Sequence, residues 1–342
     1  MEKIKMNLQL FAEANVQTTL LNDKAGGNDL SPEMKTFYSK DLIEMLGANL
    51  VHLQFGDPVS LPKHGGKTIE WRKWAKFDKA LTPLAEGVTP NGTPVNVGAV
   101  TATINQYGDY TTVSDLLEMT AIDNVIVEIT SKHSENARLT LDTITRNALL
   151  ATEGGTILWA DKLSDGKRVE SEGRNALDET ATLTADMVAR AAATLKKANA
   201  PKIDGSYVAI VHPSVAYDLM RSEGWIDVNK YSNASAIFNG EIGKLYGVRF
   251  VESTEAKIDI ANGKAVYSTI FLGKGAYKVV KLDADNIEVI VKGRGSSGTS
   301  DPLNQRSTIG WKANGFTAKV TIPEYIVVVE SASHFSSTDA AN

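Results

Sequence analysis

The spacing of apolar positions changes character several times along the chain. Over residues 34–53, Met34, Phe37, Tyr38, Leu42, Met45, Leu46 and Leu50 recur three or four apart behind a Ser31-Pro32 start, which predicts a short amphipathic helix. Residues 67–77 read as extended. A turn-rich stretch with Pro83, Gly87, Pro90, Asn91, Gly92 and Pro94 follows, and then Val/Thr alternation over 97–113, so the three together predict a long hairpin with a loose tip. Two strands alone are marginal in water, and a tip of about twenty irregular residues is unusual in a compact domain, so the hairpin is expected to lean on another surface. Next comes the strongest pattern. Ile122, Ile126, Ile129, His133, Ala137, Leu141, Ile144 and Ala148 step by three or four, with no proline or glycine before Gly154. This predicts a helix of about thirty residues, roughly 45 Å long, which favours a flat, elongated subunit with that helix as a strut.

The remainder is mixed. Thr184 caps a predicted helix over 185–198, 207–211 reads as a buried strand, and Pro213 opens a helix that stops near Gly224. After Gly247 the runs 248–251, 266–272, 277–282 and 287–292, separated by turn residues, predict a strand meander. A last strand over 316–330, interrupted at Pro323, precedes a Ser/Ala/Asp tail at 336–342 that is expected to be disordered. Residues 1–35 are polar, hold Gly26, Gly27 and Pro32, and read as an extended arm. Strands separated by helices, with one lone late strand, give an α+β class and not a doubly wound sheet.

Composition narrows the chemistry. The 342 residues include no cysteine, which excludes thiolate metal sites, thiol nucleophiles and redox pairs. With 36 basic and 41 acidic residues the formal charge is -5, the wrong sign for a chain that coats phosphate backbone over its whole surface. No apolar run approaches the ~18 residues of a membrane span, and the opening residues do not pattern as a signal peptide, so a protein made and used inside a cell is expected. Gly293, Gly295 and Gly298 spell G-x-G-x-x-G after a predicted strand, but Pro302 and the lack of an apolar stripe argue against the helix that a dinucleotide site needs. The five histidines (52, 64, 133, 212, 334) contain no zinc spacing; His212 before Pro213 reads as a cap and His133 as a packing residue. No catalytic constellation, cofactor motif or metal motif emerges. The one local charge anomaly is Lys63, Lys67, Arg72, Lys73, Lys76 and Lys79 against Glu70 and Asp78, interleaved with Trp71, Trp74 and Phe77. Cations with aromatics suit a single-strand nucleic-acid platform or a protein contact; the acidic whole and the absence of a nucleic-acid module favour the protein contact.

Several segments carry a family resemblance. YVAIVHPSVAYDL from Tyr207 and FNGEIGKLYGVRFVES ending at Ser253 resemble the central region of major capsid proteins of tailed bacteriophages. KGRGSSGTSDPLNQRSTIGWKANG from Lys292 is similar to a segment near the carboxyl end of one such group, and MNLQLFAE from Met6 resembles a common opening. The resemblance implies the phage major capsid fold: an N-terminal arm and short helix (1–55), an extended β-hairpin loop (60–113), a peripheral domain with a long spine helix (114–180 and 301–335) and an axial α/β domain (181–300). It implies a non-enzymatic protein without cofactors that tiles an icosahedral shell around double-stranded DNA. The shell would be built from hexamers and pentamers of the chain itself, with separate scaffolding, portal and possible decoration proteins, no membrane and no sequence-specific DNA contact. Assembly in the bacterial cytoplasm and residence in the virion follow. Candidate contacts between subunits are Trp71, Arg72, Lys73, Trp74, Lys76 and Phe77 on the hairpin and Leu8, Leu10 and Phe11 on the arm. The competing readings are a phage-derived shell holding a protein cargo, and a nucleotide-binding enzyme built on glycine loop 293–298.

Overall fold

In the computed structural model, residues 51–342 are described except 63, 84–85, 88, 90, 122–123, 152–153, 223, 226–240, 283–286 and 297, together with the backbone of Val16–Gln17. The expected helix over 34–53 falls outside these residues apart from its last three positions, which open a turn. In chain order the first strands are β1 (Val16–Gln17), β2 (Asp57–Leu61), β3 (Thr68–Trp74), β4 (Val97–Thr103) and β5 (Asn105–Ser114). Helices α1 (Asp115–Thr120) and α2 (Val125–Leu150) follow, then β6 (Thr156–Trp159), β7 (Lys162–Ser164), β8 (Lys167–Val169), α3 (Ala185–Lys197), β9 (Tyr207–Val211) and α4 (Pro213–Arg221). The last strands are β10 (Glu241–Leu245), β11 (Val248–Glu252), β12 (Ile258–Ala261), β13 (Lys264–Leu272), β14 (Tyr277–Leu282), β15 (Glu288–Lys292), β16 (Arg306–Val320) and β17 (Ile326–Ser331).

Two sheets and the long helix make the body. One sheet runs β1-β5-β16-β14-β2 with β15 beside β16; the other runs β10-β11-β9-β13-β17-β6 with β12 beside β13. In the second sheet period-2 alternation divides two cores. Tyr207, Ala209, Val211, Phe271, Val327 and Val329 point to the side of α3 and α4, where Met187, Val188, Leu195 and Leu219 complete the packing. Val208, Ile210, Ile270, Leu272, Ile326 and Val328 point to the other side, toward Ala137, Leu141 and Leu149 of α2 and Trp311 and Phe316 of β16. A strand buried on both faces reads as an unbroken apolar run, which is why 207–211 looks uniformly hydrophobic.

Helix α2 spans 26 residues, about 39 Å. Asn124 caps it by accepting from the Val127 amide at 3.4 Å. Its buried positions include Val125, His133, Ala137, Leu141, Thr145 and Leu149, and steps of four rotate a stripe by about 40° each on a 3.6-residue helix. The stripe therefore winds from the six-stranded sheet, where Val125 meets Val113 and Ile309, to the second core. His133 is a packing residue as expected, with Nε2 3.0 Å from Thr111 Oγ1. The capped helix at Thr184 and the strand at 207–211 also form where expected.

Four expectations change. The 97–113 run is two strands: β4 pairs with β3, while β5 leaves the hairpin at Ile104 and pairs with β16. The late strands are no meander. After β13 the chain crosses at 273–276 into the other sheet, where β14 pairs with β16 and β2. Gly273 permits the crossing, since a Cβ there would lie 2.9 Å from Ala200 Cβ. Residues 277–282 and 288–292 thereby join the sheet of β5 and β16, and 326–331 join the sheet of β9 and β13. Strand β16 also begins ten residues earlier than the last predicted strand, because Gly310 and Gly315 interrupt its pattern. Finally, the tail at 336–342 is tied down: Tyr267 OH donates to Asp339 Oδ2 at 2.6 Å, Ser336 Oγ to Asp339 Oδ1 at 2.5 Å, and the Ile258 amide to Asn342 Oδ1 at 3.0 Å. Its short polar side chains suggest disorder by composition, yet they are efficient local hydrogen-bond partners.

Candidate assembly surface

The β3-β4 hairpin pairs antiparallel from Thr68 with Thr103 to Trp74 with Val97 and carries no third strand among the described residues. Strand alternation gives it two unlike faces. Ile69 and Trp71 turn to the body, packing with Leu61, Ile104, Val280 and Leu282, and the Lys278 ammonium stands 5.0 Å from the centroid of the Trp71 ring. On the same face Lys73 Nζ is 3.4 Å from Glu324 Oε2, an exposed pair of small energetic weight. Glu70, Arg72 and Trp74 occupy the opposite, solvent-facing side, and Trp74 is 65% exposed. Beyond it the tip over 75–96 leaves Phe77 62% and Leu81 81% exposed, with Lys76 and Lys79 between and beside them, also exposed.

The structure thus separates the six predicted hairpin residues. Trp71 and Lys73 serve the hairpin's own anchorage, whereas Arg72, Trp74, Lys76 and Phe77 form an outward strip of cations and large apolar groups. Leu81, Val95 and Val97 join that strip, although the sequence reading stopped at Phe77; what marks them is large apolar side chains in a stretch rich in glycine and proline. Exposed groups of this size gathered at one projecting end suit a protein contact. Leu8, Leu10 and Phe11 lie outside the described residues.

A second feature, which the sequence reading did not pick out, fastens the chain ahead of the hairpin to the long helix. The fully buried His52 donates from Nδ1 to Asp142 Oδ2 at 2.7 Å, and the Leu53 amide donates to Asp142 Oδ1 at 3.1 Å. Tyr277 OH donates to the His52 carbonyl, and burial pushes the Tyr277 hydroxyl pKa up. Asp142 projects from the middle of α2, so these bonds fasten residues 51–56 and the entry to β2 onto the long helix. A carboxylate directly after the buried Leu141 of the long helix is the signal that could have flagged it.

The glycine loop is built differently from a phosphate cradle. After β15 the chain makes a turn and a single helical turn of three residues, Gly298–Ser300, then enters β16. The buried Asp301 carboxylate accepts the amides of Gln305 and Arg306 at 3.2 and 2.8 Å. That places a negative group, and no helix N-terminus, beside the loop. Among the described residues no cluster of His, Asp and Glu could hold a metal ion, and no helix is long and apolar enough to cross a membrane.

A family model described as phage capsid protein matches residues 98–329, from the second hairpin strand to β17. The chain belongs to the phage capsid protein family. This capsid protein is similar in structure to the capsid of cyanophage P-SCSP1u, with a TM-score of 0.65 at 14% identity over 92% of this chain and 97% of that one. It is similar to the capsid of cyanophage Pam1, with a TM-score of 0.64 at 12% identity over 89% and 98%. The SrpI encapsulin of Synechococcus elongatus PCC 7942 shares the fold, with a TM-score of 0.57 at 10% identity over 89% and 96%. No curated protein sequence matches the chain. The capsid family makes it a shell-forming structural protein, with the α+β fold of tailed-phage capsids and a place in the virion shell. The matched span begins at Gly98, so the outward strip from Arg72 to Leu81 lies ahead of it.

Proposed function

We propose that the capsid protein tiles a closed icosahedral shell around double-stranded DNA, and that the outward strip of the hairpin docks on a neighbouring copy. The observation that carries the docking is the unpartnered projection itself: a two-stranded ribbon anchored by Trp71 at its base and presenting Arg72, Trp74, Lys76, Phe77 and Leu81 at its far end. A surface bearing net negative charge, as this chain does, complements the cations of that strip, while the aromatic groups supply desolvated anchors. Each contact can be modest, since many close at once and later ones form at high effective concentration. An acidic container also avoids gluing the packaged DNA to its wall. Scaffolding, portal and decoration proteins are the further partners of this reading, with assembly in the host cytoplasm.

Electron microscopy of the expressed chain tests it. Closed shells, tubes or capsomer rings are expected, and a monomer under every condition would refute the reading. Because an encapsulin shares the fold, the contents of particles made in the native setting decide between genome and protein cargo: nuclease-protected DNA is expected, and particles filled with one protein and no DNA would overturn the genome assignment.

A further inference from the structure

Four asparagines of the chain are followed directly by glycine: Asn91, Asn239, Asn262 and Asn314. This dipeptide has a reaction of its own. The main-chain nitrogen of the glycine attacks the side-chain carbonyl carbon of the asparagine, a five-membered succinimide closes, and the side-chain nitrogen leaves as ammonia. Water then opens the ring at either carbonyl and gives aspartate or its isoaspartyl isomer, with no oxidant, metal or enzyme involved. Glycine favours the step because it has no Cβ beside the attacking nitrogen and lets the chain rotate into the cyclic geometry. That rotation is what a folded protein grants or withholds.

Asn239 lies outside the described residues. The other three sit in unlike surroundings. Asn314 and Gly315 belong to β16, at the irregularity between Ala313 and Phe316 where the strand shifts register against β5. Gly315 is buried there, and a Cβ on it would lie 2.9 Å from Leu282 Cβ and 3.0 Å from Ile104 Cδ1. Ring closure at that position requires the sheet to open locally first.

Asn262 and Gly263 are the two central residues of the tight turn between β12 and β13, closed by the pairing of Ala261 with Lys264. Their φ angles, 51° and 75°, are those of a hairpin turn that matches the twist of its strands. The Asn262 side-chain nitrogen also donates to the Asn175 carbonyl at 2.9 Å. Main chain and side chain, the two partners of the reaction, are thus both held.

Asn91 and Gly92 are placed differently. They lie in the hairpin tip, where residues 91–96 are all exposed and belong to no helix, strand or tight turn. A Cβ on Gly92 would meet nothing within 4 Å.

We infer that Asn91 is a site of spontaneous deamidation in the folded chain, converting to aspartate and isoaspartate while the fold protects Asn262 and Asn314. Each event places a carboxylate on the tip that carries the exposed Lys76 and Lys79, and the isoaspartyl form adds a methylene to the main chain. The age of a chain thereby alters the charge and the path of its hairpin tip. The reaction belongs to the free chain, so its test does not depend on hairpin docking, and its failure leaves the shell reading untouched.

Peptide mapping by mass spectrometry, after the full-length unassembled chain is incubated in heavy-oxygen water at mildly alkaline pH, separates the sites, because only asparagines converted during the incubation take up the label. Conversion at Asn91 is expected to be at least about tenfold faster than at Asn262 or Asn314, both of which must open locally before they react. In the urea-unfolded chain the three rates should come within about threefold of one another, since the dipeptide is the same and the native contacts that set the sites apart are gone. Gly92→Ala, which no neighbouring atom opposes, should slow conversion at Asn91 at least about fivefold and leave Asn262 as it was. Comparable rates at the three sites in the folded chain, a spread that urea does not narrow, or an undiminished rate at Asn91 in Gly92→Ala would each overturn the inference.

Discussion

A single carboxylate does much of the joining at the root of the hairpin. Asp142 has both oxygens engaged, by His52 and by the Leu53 amide, in a fully buried place. Asp142→Ala would leave two buried donors without an acceptor, and the cost is expected to be about 3 kcal/mol in a urea unfolding titration. Asp142→Asn, which keeps one acceptor oxygen, should recover part of it. The carboxyl-terminal strap adds a pH dependence. Burial holds the His212 imidazole below its ordinary pKa, and its Nδ1 accepts the Ser214 amide at 3.2 Å as a helix cap. The unfolded chain takes up that proton near pH 6.5 while the folded chain resists it, so stability is lost as pH falls below about 6.5. Asp339 sits lower than usual because Ser336 and Tyr267 donate to it. Its contribution is present above the ordinary carboxylate range and is lost only as pH falls through its depressed folded value. Unfolding titrations at stepped pH should therefore show a decline between pH 7 and 5 that His212→Asn, a cap without a titrating ring, reduces; an identical decline in the variant would contradict the assignment.

At the scale of elements the hairpin divides into an anchored base and a presented end. Trp74→Ala with Phe77→Ala removes exposed rings only. Monomer stability is expected to stay within about 0.5 kcal/mol, while particle yield, counted by electron microscopy or sedimentation, falls at least about tenfold. Trp71→Ala behaves differently, because that ring is half-buried against Val280 and Leu282. It should lower stability by about 1–2 kcal/mol as well as assembly. Full particle yield from the first variant would remove the role given to the strip. The basic-aromatic composition was legible along the chain; which of its residues point home and which point away was not, since strand parity assigns faces only once the register with β4 and the side of the body are known.

The whole molecule turns on the strands shared by its two cores. Ile270 and Phe271 are neighbours in sequence but face opposite cores, and the same holds for Val328 and Val329. Neither core can loosen without disturbing the sheet between them. Ile270→Ala is expected to cost about 2–5 kcal/mol, and calorimetry of the unassembled protein should show one transition before and after the change. Two separated transitions would mean that the cores melt independently. The crossing at 273–276 and the return of β17 make this coupling, as they stitch late segments of the chain alternately into the two sheets.

Local pattern determined the long helix, the capped helices at Thr184 and His212, the buried strand at 207–211 and the absence of cysteine chemistry, because periodicity, capping and composition act between residues close along the chain. Tertiary structure decided the rest. It chose which strands pair, sent β14 and β16 to one sheet and β13 and β17 to the other, seated Asp142 against His52, and ordered a tail that composition alone marks as loose. Those outcomes depend on contacts between residues tens to hundreds of positions apart, and a linear pattern carries no record of which distant partner will satisfy a given strand edge or carboxylate.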